Sequence, residues 1–174
     1  MVLIGLISDT HIPEARHELW PQVFDAFRGV DAILHAGDIH DLVVIDQLHD
    51  IAPVWAARGN GEDGSGGRPI QPDHSRLRPA WVLDFDGVKV GLVHDLPIPE
   101  YPPHLTVERA MQYHFGRTDL DVVVYGDTHV EAIDTIGDVL CVNPGSPTYP
   151  HNLDTQLGTI GFLEVSGGRA EATI

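Results

Sequence analysis

Five apolar runs in this chain stop abruptly at aspartate, asparagine or histidine, three of them with a glycine alongside, and that recurrence limits the folds open to it. Val2 to Ile7 runs into Ser8-Asp9-Thr10-His11, Val30 to His35 into Ala36-Gly37-Asp38, and Val54 to Ala57 into Arg58-Gly59-Asn60. Further on, Val88 to Val93 ends at His94, and Asp121 to Tyr125 ends at Gly126-Asp127-Thr128-His129. Short continuous apolar runs are what strands buried on both faces require, as in a largely parallel sheet covered by helices.

The segments between these runs fit that picture. Apolar spacing predicts helices across Glu18 to Arg28 and Leu42 to Leu48, the second with Asp41 as its N-cap. Strand, helix, strand, helix, strand is the βαβ pattern of a parallel sheet. Residues 61–79 are rich in glycine, proline and charge, which predicts a mobile loop. Trp81 to Phe85, Asp86-Gly87 and Val88 to Val93 read as a β-hairpin with a tight turn. A helix is expected over Thr106 to Phe115 after a proline-rich segment, then strands at Glu131 to Ile136, Val139 to Val142 and Thr159 to Val165. There is no internal repeat. One α/β domain over residues 1–174 is expected, with a mixed two-sheet core flanked by helices.

A chain of 174 residues can bury such a core without staples. Its single cysteine, Cys141, lies in an apolar run and reads as a small buried hydrophobe in a reducing compartment. Met1 to Ile7 lacks a basic leader and is too short to span a bilayer, so no membrane association and a cytoplasmic location are expected. The formal charge of −16 repels a phosphate backbone and argues against binding long nucleic acid.

The strand ends carry Asp9 and His11, Asp38, Asn60, His94, and Asp127 and His129. In α/β sheets, loops at the carboxyl ends of strands converge to form binding sites. The i, i+2 spacing of Asp9/His11 and of Asp127/His129 lets both side chains of each pair face one side if the backbone is extended. Carboxylate, imidazole and amide oxygen together suit Mn, Fe or Zn, whereas an all-oxygen set would suit Mg or Ca. Each residue taken singly has a plainer explanation: Asp9 and Asp38 as turn residues, His94 as a hydrogen-bonded histidine. The repetition at five strand ends weighs against coincidence.

Asp9-Thr10-His11, Gly37-Asp38-Ile39-His40, Arg58-Gly59-Asn60, Val93-His94-Asp95, Gly126-Asp127-Thr128-His129 and Asn143-Pro144-Gly145-Ser146 resemble the ordered motifs of the calcineurin-like metallophosphoesterase superfamily, in its small bacterial and archaeal phosphodiesterase branch. That resemblance implies a four-layer αββα sandwich and two divalent metal ions (Mn, Fe, Zn or Ni), with a homodimer also suggested. Asp9, His11 and His129 would hold the first metal, Asp38 would bridge, and Asn60, His94 and Asp127 would hold the second. A metal-bound hydroxide would then hydrolyse a phosphodiester or phosphomonoester, in a small phosphorylated or nucleotide substrate rather than long nucleic acid.

Three departures from the superfamily pattern matter. Asp127 stands where a histidine is usual, which would make the second site harder and tilt it toward Mn or Fe. Gly61 stands where many members have a histidine that protonates the leaving group, help worth ~10²–10⁴-fold, although the small branch often lacks it. The segment after Ser146, Pro147-Thr148-Tyr149-Pro150-His151, lacks the arginine common in relatives. A positive phosphate contact would then be absent or fall to His40, Arg58 or His151, with Asn60 a further substrate contact; the plainer explanation is the stronger for all three, Arg58 pairing with a surface carboxylate and His151 being a loop residue. Asn143 to Ser146 is expected to brace the site. The alternative function is a catalytically weak scaffold that binds a protein partner, as a retromer subunit of this fold does.

Overall fold

The computed structural model describes residues 1–97, 106–151 and 158–174. Its first three strands, β1 (Val2–Ile7), β2 (Ala32–His35) and β3 (Val54–Ala57), lie side by side and parallel, joined by α1 (Pro21–Ala26) and α2 (Val43–His49). α1 is shorter than predicted and opens on Pro21, whose missing N–H costs nothing in the first helical turn. The predicted cap at Asp41 is displaced. Leu42 is the N-cap of α2, and Asp41 Oδ1 instead accepts the Val43 N–H at 3.0 Å.

Residues 61–79, expected as loop, hold a 3₁₀ turn at Ser65–Gly67 and a two-residue strand, β4 (Leu77–Arg78), parallel to β3. Two residues carry no periodicity to read, so only the pairing with β3 makes this a strand.

The predicted hairpin is present as β5 (Ala80–Phe85) and β6 (Val88–Val93), antiparallel. α3 (Val107–Phe115) follows, capped by Thr106, whose Oγ1 accepts the Arg109 N–H. The proline-rich segment expected before it falls largely outside the described residues. β7 (Val122–Val124), β8 (Glu131–Ile136) and β9 (Val139–Pro144) complete a second sheet in the order β5-β6-β7-β9-β8. β10 (Gly161–Ser166) and β11 (Arg169–Thr173) return to the first sheet, whose order is β11-β10-β1-β2-β3-β4. The sequence reading did not anticipate β11, whose alternating exposed and half-buried residues present no apolar run.

The two sheets pack face to face through Ile4, Leu6, Leu34, Val90, Leu92 and Val124. Their outer faces are covered separately. Phe27, Ile33, Ile45 and Leu48 form the core beneath α1 and α2, and Met111, Val123 and Cys141 the core beneath α3. The result is the expected α/β/β/α layering. It also explains the unbroken apolar run in β1, where Leu6 faces the second sheet and Ile7 faces the helices. No helix among the described residues is long and apolar enough to cross a membrane.

Replacing Leu34, which is fully buried between the sheets, with alanine removes apolar contacts from both layers. The expected cost is about 2–5 kcal/mol, seen as a lower urea midpoint with an unchanged slope.

Candidate metal centre

The parallel strands β1, β2, β3, β6 and β7 end on one edge of the sandwich, and the loops beyond them hold all seven residues singled out above. Asp38 sits at their centre. Its Oδ2 lies 3.4 Å from His11 Nε2, and its Oδ1 lies 3.2 Å from His94 Nε2. On the His11 side, His129 Nε2 is 3.2 Å from His11 Nε2 and 3.6 Å from Asp9 Oδ1. On the other side, His94 Nε2 is 3.2 Å from Asn60 Oδ1 and 3.5 Å from Asp127 Oδ1. The shorter side chain at 127 therefore still reaches the cluster.

The pairs do not use the extended backbone that the i, i+2 argument assumed. Asp9, His11, Asp38, His40, Asp127 and His129 all have positive φ, between 44° and 70°. Among the described residues one other non-glycine does so, Asp86 in the β5–β6 turn. Left-handed non-glycine residues each cost of order 1–3 kcal/mol and gather at functional sites. Three Asp-x-His segments share this strain at three strand ends.

The crowding also dictates glycine before several of these residues. At Gly37, φ is +97° and a Cβ would lie 2.7 Å from His94 Nδ1. At Gly59 a Cβ would lie 2.2 Å from Asp38 Oδ1.

The inward-facing atoms of this arrangement are mostly lone pairs. His94 Nδ1 donates to the Ala36 carbonyl at 2.7 Å, so in the neutral ring Nε2 is a bare lone pair facing three oxygens. His129 Nδ1 likewise donates to the Tyr149 carbonyl, turning its Nε2 lone pair toward His11 and Asp9. Burial holds His11 neutral, with its pKa lowered to about 3. Burial also raises Asp9 to about 6, against the lowering influence of His94. For His94 burial acts downward but is overcome by the hydrogen bond to Asp127 and by Asp9 and Asp38, which carry it up to about 9. The oxygens around it demand positive charge. A set of nitrogen and oxygen donors with more lone pairs than protons fits divalent cations of the Mn, Fe, Zn or Ni kind, and the fixed Nδ1–H bonds match the way ligating histidines are oriented.

A set of residues that the sequence reading missed holds these loops in place. Glu62 is fully buried; its Oε1 accepts the N–H groups of Ile39 and His40 at 2.7 and 2.8 Å, and its Oε2 accepts that of Gly59 at 2.8 Å. His35, kept neutral by burial, accepts the Gly37 N–H on Nδ1 at 3.2 Å and donates from Nε2 to Thr10 Oγ1 at 3.1 Å. Ser146 Oγ donates to the Asp9 carbonyl at 2.7 Å, and Asn143 Nδ2 donates to the Gly126 carbonyl at 2.9 Å, the bracing expected of Asn143 to Ser146. Nothing in the sequence marks Glu62 as buried, since an acidic residue in a glycine-rich turn reads as solvated.

The candidate substrate contacts fall out differently from one another. Arg58 turns its guanidinium to the carbonyls of Glu62, Gln71 and Pro72 at 3.0–3.4 Å, bracing the 61–72 segment, and its Nη2 lies 3.9 Å from the exposed Asp73 carboxylate, the surface pairing expected as its plainer role. His40 is buried with its ring 4.4 Å from that of His11. His151 is exposed and lines a cavity of about 370 Å³ with Asp127, His129 and Tyr149.

A family model for the calcineurin-like phosphoesterase superfamily domain matches residues 2–168. The chain belongs to that superfamily. A probable metallophosphoesterase of Methanothermobacter thermautotrophicus is 36% identical to it over 173 residues, covering 99% of this chain and 91% of the relative. A phosphodiesterase of Methanocaldococcus jannaschii is 27% identical over 170 residues, 92% of each chain. Vps29 of Chaetomium thermophilum matches with a TM-score of 0.72 over 96% of this chain and 84% of that one, at 21% identity, which shows a shared fold alone.

Glu62→Gln replaces a fully buried acceptor of three N–H groups by an amide with only one carbonyl oxygen. We expect about 1–3 kcal/mol of lost stability and weaker Mn binding, measured by thermal melting and by calorimetric titration.

Proposed function

We propose that this phosphoesterase is a metal-dependent hydrolase of phosphodiester or phosphomonoester bonds in small phosphorylated molecules, with Asp9, His11, His129, Asp38, Asn60, His94 and Asp127 holding two divalent cations. The observation that carries the reading is the Asp38 carboxylate, whose two oxygens face two separate groups of inward lone pairs at 3.2–3.4 Å. Two cations held there would supply positive charge beside the phosphoryl oxygens and lower the pKa of a bound water.

The chain's own part is positioning. Asp38 joins the two groups, and the buried Asp9 and the Nδ1-anchored His94 and His129 keep their donor atoms aimed inward. Asn60 Oδ1 stands at the edge of the His94 group, where its amide nitrogen can donate to a phosphoryl oxygen. No side chain projects from Gly61; a Cβ there would lie 2.3 Å from His40 Cδ2. Leaving-group protonation therefore falls to water, which favours esters of good leaving groups. The net charge of −16 favours small substrates over nucleic acid. The likeness to Vps29 keeps a protein-binding scaffold as the second reading, but that rests on fold alone, whereas a scaffold has no need of six strained residues around the inward lone pairs.

Metal content per chain and hydrolysis of generic phosphomonoesters and phosphodiesters with Mn, Fe, Zn and Ni test this. Asp38→Ala is expected to lose bound metal and at least about 100-fold in kcat/KM. Fewer than two metals and no turnover with any cation would sink the proposal. Asp127→His should tighten Zn relative to Mn; unchanged metal content and rate would remove position 127 from the ligand set.

A further inference from the structure

Beside the centre, on the His40 and Gly61 side, lies a cavity of about 360 Å³ lined by Glu14, His40, Gly61, Arg68 and Gln71 among others. Its chemistry differs from that of the centre. Arg68 Nε and Nη2 each donate to one oxygen of Glu14, both at 3.2 Å, in the paired fork that guanidinium forms with a carboxylate or phosphate. The same Glu14 carboxylate lies 3.6 Å from His40 Nδ1. An anion is thus already held here by a guanidinium, with the His40 ring beside it and one ring away from His11.

The anion that holds this position is a poor permanent occupant. Glu14 comes from the surface and its side chain is 52% exposed, so it can turn out to water at little cost, while His40 is 8% exposed and fixed. Charge around the centre points the same way. Asp9, Asp38, Glu62 and Asp127 crowd it, and Arg58 is committed to three backbone carbonyls. Arg68 is a guanidinium at the rim whose side-chain partner is an exposed carboxylate.

We propose that Arg68 and the cavity beside it bind a second anionic group of the substrate, such as a further phosphate, and that Glu14 occupies the position until that group displaces it. The inference rests on the phosphoesterase reading for the first phosphate only. It makes the favoured substrates phosphoesters that carry an additional phosphate or carboxylate. It also makes Glu14 a competitor, which gives the two residues opposite signs.

The test titrates adenosine 3′,5′-bisphosphate and adenosine 5′-monophosphate into the Mn-loaded full chain by calorimetry, with hydrolysis of a generic phosphodiester followed in parallel. Wild type should bind the bisphosphate more tightly. Arg68→Gln should erase about ten-fold or more of that preference, a charge-assisted hydrogen bond being lost. Glu14→Gln should enlarge the preference, and the double variant should match Arg68→Gln. If the pair merely tethers two loops, both single variants will lower the melting temperature and shift binding in the same direction, which overturns the subsite. Equal binding of the two nucleotides by wild type, or no binding of either at millimolar concentration, also overturns it. Preference without any hydrolysis would leave the subsite standing and count against the phosphoesterase reading.

Discussion

One carboxylate joins the loops of both sheets. Asp38 leaves the end of β2, receives the Gly61 N–H on Oδ1 at 2.7 Å, and faces His11 from the first sheet and His94 from the second. For a buried acid to stand among imidazole lone pairs, the surrounding loops must be fixed from every side, because an unpaired buried charge is costly. Much of the architecture at this edge answers that demand. The glycines at 37 and 59 let the chains approach, and the strained left-handed residues turn side chains inward that a relaxed backbone would direct elsewhere.

The strain is held by groups that take no part in the cluster. Glu62 ties the β2 and β3 loops together through three backbone N–H groups, and His35 ties the β1 and β2 loops through Thr10 and Gly37. Ser146 and Asn143 extend the bracing from β9 to Asp9 and to the β7 loop. These bonds are buried and directional, so each fixes a loop without needing a large apolar contact. Six unfavourable backbone conformations persist because the neighbouring bonds and the two cores leave the loops no lower-energy alternative.

Legibility in the sequence followed the range of the interaction that determines each feature. Strands β1, β3 and β6 were readable to the residue because apolar runs with polar residues at their ends are local signals. The seven clustered residues were readable for a similar reason, since each closes a strand and the carboxyl ends of parallel strands share an edge. The two-residue β4 and the mostly exposed β11 were not, because their identity as strands comes from a partner far along the chain. The surface pairing of Arg58, with Asp73, was within reach, but its backbone partners were not. Its sequence position beside Gly59 suits a phosphate contact, and only the path of residues 62–72 shows where the guanidinium goes.

By itself, then, the order of apolar runs and the polar residues at their ends determined the layered α/β architecture, the edge on which the site lies and the donor chemistry gathered there. Tertiary structure decided which atoms face one another: that Asp38 divides its oxygens between two groups, that Asp127 reaches His94, and that Arg68 pairs with Glu14 beside His40. The physical reason is distance along the chain. Burial patterns repeat every two to four residues and leave their mark in composition. Hydrogen bonds between loops 20 to 140 residues apart depend on where the folded sheets bring those loops, and no local pattern records that.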